Sequence, residues 1–367
     1  VTGVVVTAFL LSSSLLVISN QARAGAKIKI DETKWVSVGA GLRTSFNSVE
    51  NAAPSGTDRS KDFELDSIRL YVNGQVTKHI KLEFNTERDA DGNIDVLDGV
   101  AKFEMTDLIN VWAGRMLPPS DRSNLSGPYY LNAWNFPSVQ AYPNIKAGRD
   151  DGAAVWGQTG GGVFKYQAGF FQGIDGSASP TSPNQKDDLL FAGRLVYNFW
   201  DPEPGYYNSS TYYGSKDVLA IGLVYQSQSN ASGTATDPGD FTGWNLDFLY
   251  EQKLKAGGVV SAEAAYYDYD WSNKPVVNPG LYQGNGYFVL GSYLLANKTG
   301  WGKFQPMLRY QKLEPDTGYG VETDIAEIGL NYIIDGHNAR VALVYGDADP
   351  TGAPSTNFVQ LGVQLQI

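Results

Sequence analysis

Phe358-Val359-Gln360-Leu361-Gly362-Val363-Gln364-Leu365-Gln366-Ile367 alternates residue by residue, and that alternation decides the fold. Successive side chains of a strand point to opposite faces. Val359, Leu361, Val363, Leu365 and Ile367 therefore share one face, and Gln360, Gly362, Gln364 and Gln366 the other. One face suits lipid and the other suits water. A soluble sandwich strand has the same period, so the rest of the chain has to arbitrate.

Working outward, sixteen such segments recur, at approximately 34–48, 63–76, 80–88, 96–104, 109–116, 151–157, 164–172, 189–198, 217–229, 243–254, 259–269, 286–295, 303–314, 323–334, 339–346 and 357–366. No stretch shows sustained helical periodicity. An even count is what a bacterial barrel with both ends on one side requires. The odd connections are long and polar (49–62, 89–95, 117–150, 173–188, 230–242, 270–285, 315–322, 347–356), and most even ones are short. Long outer loops and short periplasmic turns are the pattern of membrane barrels. The expected fold is thus an all-β, antiparallel up-and-down transmembrane barrel of about 16 strands, with a long third outer loop at 117–150. One connection breaks the pattern: 199–216 is long on the side of short turns, and reads as a periplasmic excursion.

Composition narrows the function. The chain has 367 residues, no Cys and 18% charged residues, below the roughly 25% of soluble domains. Zero Cys excludes a disulfide framework, thiol catalysis and Cys-ligated metal. A net charge of −11 argues against nucleic acid, whose phosphates call for a basic surface. No cofactor and no metal is expected. Asp89 to Asp95 has some character of a calcium loop, but Gly92 is fourth and Val100 stands where a Glu is needed, so it reads as a polar outer turn. Gly160-Gly161-Gly162 reads as a turn.

Residues 1–24 read as a signal peptide: Val4 to Ile18 is too short to span a membrane, and Ala22-Arg23-Ala24 follows as a cleavage pattern. No Lys or Arg precedes the apolar run. The barrel domain is then 25–367, in the outer membrane of a Gram-negative bacterium. Trp35, Trp156, Trp200 and Trp301 fall near periplasmic strand ends, and Trp244 and Trp271 near outer ones, as two aromatic girdles would.

Three segments carry a family resemblance. Phe63 to Gly74 looks like the second strand of the phosphate-selective porin O and P family. Val111-Trp112-Ala113-Gly114-Arg115-Met116-Leu117-Pro118-Pro119-Ser120 resembles the strand entering that family's constriction loop, and Gly148-Arg149-Asp150-Asp151-Gly152 the exit from it. The resemblance implies a sixteen-stranded porin, a homotrimer, and a third outer loop folded into the pore. Ile367 departs from it, since such barrels usually end in an aromatic residue.

Alternation assigns Arg43, Arg69, Lys81, Lys102, Arg194, Arg309 and Arg340 to the lumen, with Glu83, Asp98, Glu104, Asp247, Glu251, Glu263 and Glu327. Seven against seven is not a strongly positive pore. Arg115, Arg122, Lys146 and Arg149 against Asp121, Asp150 and Asp151 tilt the constriction towards anions by one charge. Segment 128–143, with Tyr129, Tyr130, Trp134, Phe136 and Tyr142 stiffened by Pro128, Pro137 and Pro143, is expected to pack against the inner wall.

The function expected is passive diffusion of small hydrophilic solutes or ions, with outer-membrane lipid and lipopolysaccharide as surroundings. A channel selective for phosphate or other small anions is the nearest alternative, and a structural, partner-binding barrel another. An enzyme is not expected. A lipase would need a Ser activated by a His near outer-leaflet lipid, and His79 and His337 fall in periplasmic turns.

Overall fold

The computed structural model describes residues 26–88, 92–176, 181–276, 278 and 280–367. The expected signal peptide and part of the Asp89–Asp95 turn lie outside these residues. The strands are β1 (Ala26–Lys29), β2 (Trp35–Val49), β3 (Asp62–Gln75), β4 (Ile80–Arg88), β5 (Ile94–Glu104), β6 (Asn110–Met116), β7 (Asp150–Thr159), β8 (Phe164–Phe171), β9 (Leu190–Asn198), β10 (Val218–Thr234), β11 (Asp237–Lys253), β12 (Val259–Asp270), β13 (Gly284–Leu294), β14 (Lys303–Pro315), β15 (Thr323–Asp335), β16 (Ala339–Pro350) and β17 (Thr356–Gln366).

From β2 onward each strand pairs antiparallel with the next, and β17 returns to β2, from Phe358↔Val49 to Gln366↔Gly41. The sheet is a closed barrel of sixteen strands. The seventeenth, β1, pairs with Trp35–Val38 of β2 and continues the line of β17 along the same edge. It went unread because four residues carry no period. The β10–β11 hairpin also runs further than expected, pairing out to Thr234↔Asp237 past a bulge after Gln228. Its tip stands beyond the lipid, where backbone pairing suffices and no apolar face is needed.

The outward face is apolar all round. Leu42, Leu70, Leu195, Leu246, Leu308, Leu343 and Leu361 are exposed, a belt that water would not tolerate on a monomer and lipid requires. Among the described residues no helix is long and apolar enough to cross a membrane; the strands do the crossing. The girdle expectation needs correction. Trp200, Trp244 and Trp301 are exposed, but Trp156 and Trp271 are buried inside. Trp156 has the parity of the inward Ala154 and Gln158 and packs on Trp112. Trp271 continues the inward series Tyr267, Tyr269 and stacks on Phe241 at 4.3 Å.

Candidate functional site: the barrel interior

A sixteen-strand barrel is too wide for its own side chains to fill. Two chain segments enter it. The first is the connection from β6 to β7, residues 117–149, which is buried over most of its length. It begins with Pro118 and Pro119, and forms a one-turn helix α1 (Arg122–Ser126). Asp121 caps this helix, accepting from the Ser123 and Asn124 amides at 2.9 and 3.4 Å. Irregular backbone inside a barrel has carbonyls with no ladder partner, and these need donors. The inner wall supplies them. Arg194 donates to Ser120 O (2.9 Å), Arg340 to Leu131 O (2.7 Å), Arg43 to Trp134 O (2.6 Å) and Arg309 to Asn135 O (2.7 Å). Gln226 and Gln364 do the same for Pro119 O and Tyr129 O. The Trp134 ring lies between the Arg43 and Arg340 guanidinium groups, 4.0 and 5.5 Å from its centroid. Four of the seven basic residues expected along the lumen thus hold the loop.

The second segment is 199–217. It does not extend into the periplasm, as the sequence suggested, but folds back into the barrel. Glu203 takes both Nη groups of Arg122 at 2.7 Å, with each side chain 1% exposed, and accepts the Tyr212 hydroxyl at 2.5 Å. Arg122 also donates to Ser209 O, and Ser210 N donates to Tyr130 O. Glu263 accepts from Ser123 of the loop and Ser210 of the insertion, at 2.9 and 3.0 Å. Glu251 receives Thr211 Oγ1, the Tyr212 and Gly214 amides and Ser261. Tyr206 stacks on Trp112 at 4.7 Å and donates to Leu117 O. His337, in the turn after β15, stands between Tyr129 O (3.2 Å) and Thr211 O (3.0 Å). Burial, then Arg340, push its imidazole down to about 4 despite the two carbonyls. The signal was present in Tyr206-Tyr207-Asn208-Ser209-Ser210-Thr211-Tyr212-Tyr213: uncharged, hydroxyl-rich and aromatic, unlike a solvated turn.

Space remains on the β2–β7 side. A cavity of about 540 Å³ faces the end where β1 and the close of β17 lie, lined by Lys27, Lys81, Lys102, Glu83, Asp98, Glu104, Trp112, Tyr129 and Tyr207 among others. A second, of about 380 Å³, lies on the outer side of the loop. Arg69 and Arg149 line both. Ion pairs run along this wall: Arg69–Glu87 at 2.5 Å, Arg149–Asp98 at 3.1 Å, Lys102–Glu83 and Lys81–Glu104. Glu87 was missed, although it continues the inward series Glu83, Asn85 of β4.

The fourteen strand residues assigned to the lumen all lie on the inner wall, but they divide. Arg69, Lys81, Lys102, Glu83, Asp98 and Glu104 border the open space. Arg43, Arg194, Arg309, Arg340, Asp247, Glu251, Glu263 and Glu327 are buried against the inserts or each other. The constriction set divides too. Arg149 lines both cavities. Arg122 is sealed beneath Glu203, and Asp121 is spent on α1, Gln140 and Tyr267. Asp150 points inward and accepts Gly173 N. Arg115 needs correction: Trp112 and Met116 take the inward parity of β6, so Arg115 faces outward and pairs with Asp151 at 2.8 Å. Lys146 pairs with Asp95, at the outer start of β5.

No family model matches the chain, and no curated protein matches it. Solved structures do. OprB of Pseudomonas putida, at high pH, superposes with a TM-score of 0.62 at 11% identity, over 91% of this chain and 94% of that one. The anion-selective porin from Comamonas acidovorans gives 0.60 at 13% identity, over 91% and 100%. The trimer form of OmpT, an outer membrane protein of Vibrio cholerae folded in vitro, gives 0.57 at 15% identity, over 92% and 100%. At such identities the likeness shows the fold, that of outer-membrane β-barrels. A closed barrel with this lipid-facing belt has its place in the Gram-negative outer membrane.

Proposed function

We propose that the protein is an outer-membrane channel through which small hydrophilic solutes and ions diffuse passively, and not an enzyme. One observation carries the reading: the two cavities lie on opposite sides of the inserted loop and share Arg69 and Arg149 in their linings. The passage runs along β2–β7, and the opposite half of the lumen is filled by the inserts. A homotrimer in lipid and lipopolysaccharide fits the resemblance to the phosphate-selective porins and the trimer form of the Vibrio protein. A barrel that sheathes a partner draws no support from a lumen occupied by its own chain.

A second reading, preference for phosphate or other small anions, is favoured by the charges on the passage. Lys27, Arg69, Lys81, Lys102 and Arg149 stand on it against Glu83, Asp98, Glu104 and the Arg69 partner Glu87, an excess of one, and among the described residues no carboxylate lines the outer cavity. Charge in a narrow, low-dielectric passage acts more strongly than on an open surface. Nothing beyond the resemblance singles out phosphate. Planar-bilayer recording tests both readings. The wild type should conduct, and in a salt gradient Arg149→Ala should move the reversal potential towards cations. That shift should shrink at 1 M salt, where the Debye length is about 3 Å. A silent bilayer overturns the channel. An unchanged reversal potential at low salt removes the anion preference alone.

A further inference from the structure

We propose that the outer cavity is a binding site for a small organic anion, with a carboxylate head on Arg69 and Arg149 and a compact apolar body against Phe136 and its flanking prolines. The place of this site in a conduction path rests on the channel reading; the binding does not.

The first observation is a pair of buried guanidinium groups with donors to spare. Arg69 and Arg149 are 8% and 5% exposed. Arg69 spends Nε on Glu87. Its Nη1 and Nη2 have no hydrogen-bond partner among the described residues. Arg149 gives Nε to Asp98 and Nη1 to Ala147 O, which leaves Nη2. These nitrogens are not sealed in protein, as the unpartnered Nε atoms of Arg43, Arg122 and Arg194 are. Both side chains line the outer cavity. A planar guanidinium matches the two oxygens of a carboxylate.

The second observation is the wall. Pro128, Phe136, Pro137 and Ala141 present apolar surface to the same cavity, with the amide of Gln140 at its edge. A hydrated inorganic oxyanion gains nothing from that surface. A carboxylate carrying a ring or short branched chain gains burial on it. A volume of about 380 Å³ falls within the roughly 300–1,000 Å³ of small-ligand pockets.

Benzoate is the probe, with inorganic phosphate as the comparison, and titration calorimetry of the full chain in detergent is the measurement. Benzoate should bind at least tenfold more tightly than phosphate. Phe136→Ala should weaken benzoate by about tenfold, in line with one lost ring contact, and leave phosphate unchanged. Arg149→Gln should weaken both. Heat-modifiable mobility on gels checks that each variant is folded, and Phe136→Leu should restore part of the benzoate affinity. Phosphate binding as tightly as benzoate, or indifference of benzoate to Phe136→Ala, overturns the proposal. So does an absence of benzoate binding in a chain that conducts. Benzoate binding by a chain silent in the bilayer would sink the channel reading and leave this site standing.

Discussion

Glu203→Ala removes the bidentate partner of buried Arg122 and leaves its guanidinium only Asp247, which is 3.9 Å from Nε and shared with Arg194. Both side chains are 1% exposed, so water cannot replace the carboxylate without the insertion moving. Breaking a buried pair from one side costs about 3–5 kcal/mol. The Tyr212 hydroxyl loses its acceptor as well. The barrel strands do not depend on this pair, so the cost falls on the docking of 199–217. At about 1.4 kcal/mol per tenfold, the docked state should lose roughly 10² to 10⁴ in population relative to the released one. Hydrogen exchange followed by mass spectrometry reads this directly. Backbone amides between Glu203 and Gly214 should exchange faster by a factor in that range, and those of β10 and β11 should not. Arg122→Met with Glu203→Leu and Lys165→Met, which removes the buried Lys165 that also faces Glu203, should recover most of the protection. Exchange at wild-type rates in Glu203→Ala would show that the insertion is held by the Glu251 and Glu263 contacts alone.

Leu361→Arg places a charge on the lipid face, where Leu361 is 44% exposed, at a cost of roughly 2–4 kcal/mol at the midplane. Asn73→Arg, on the wall of the inner cavity, should fold normally; equal loss of heat-modifiable mobility in the two would contradict the register. His337 is held at about 4 in the folded chain against an ordinary 6.5. Burial, then Arg340, oppose its charge more than the two flanking carbonyls favour it. Its contribution to stability is complete above about 6.5 and is lost as pH falls through 4. Unfolding midpoints measured from pH 7 to 4 should fall, and His337→Gln should flatten that fall. The mature chain should begin near Gly25; N-terminal sequencing of protein from isolated outer membrane that finds Val4–Ile18 retained would contradict the signal peptide.

The barrel was legible because lipid and water impose a period of two on every strand, and β4 (Ile80–Arg88) is bounded as alternation places it. The interior was less so. Alternation says which way Arg43 or Arg340 points, but not whether it meets water or a carbonyl of a loop 91 or 209 residues away. Gln360, read as facing water, accepts from Asn135 of the loop at 2.8 Å. Arg115 adjoins the loop in sequence, but its parity within β6, opposite to Trp112 and Met116, turns it outward. The insertion 199–217 has no period, and its place depends on partners such as Arg122 and Glu251 that no local pattern connects.

The residues that grip the inserted loop have a consequence for how the cylinder closes. The joint between the two ends of the chain is β17 against β2, strands more than 300 positions apart in sequence. It is the closure with the largest entropic cost and, of all the pairings, the last that local contacts could favour. Three of the loop's anchors flank that joint: Arg43 on β2, Arg340 on β16 and Gln364 on β17, all reaching the stretch Tyr129–Trp134. The segment that narrows the bore is therefore also a clasp across the seam. It ties the first wall to the last from within, so that shutting the barrel and seating the loop become one event.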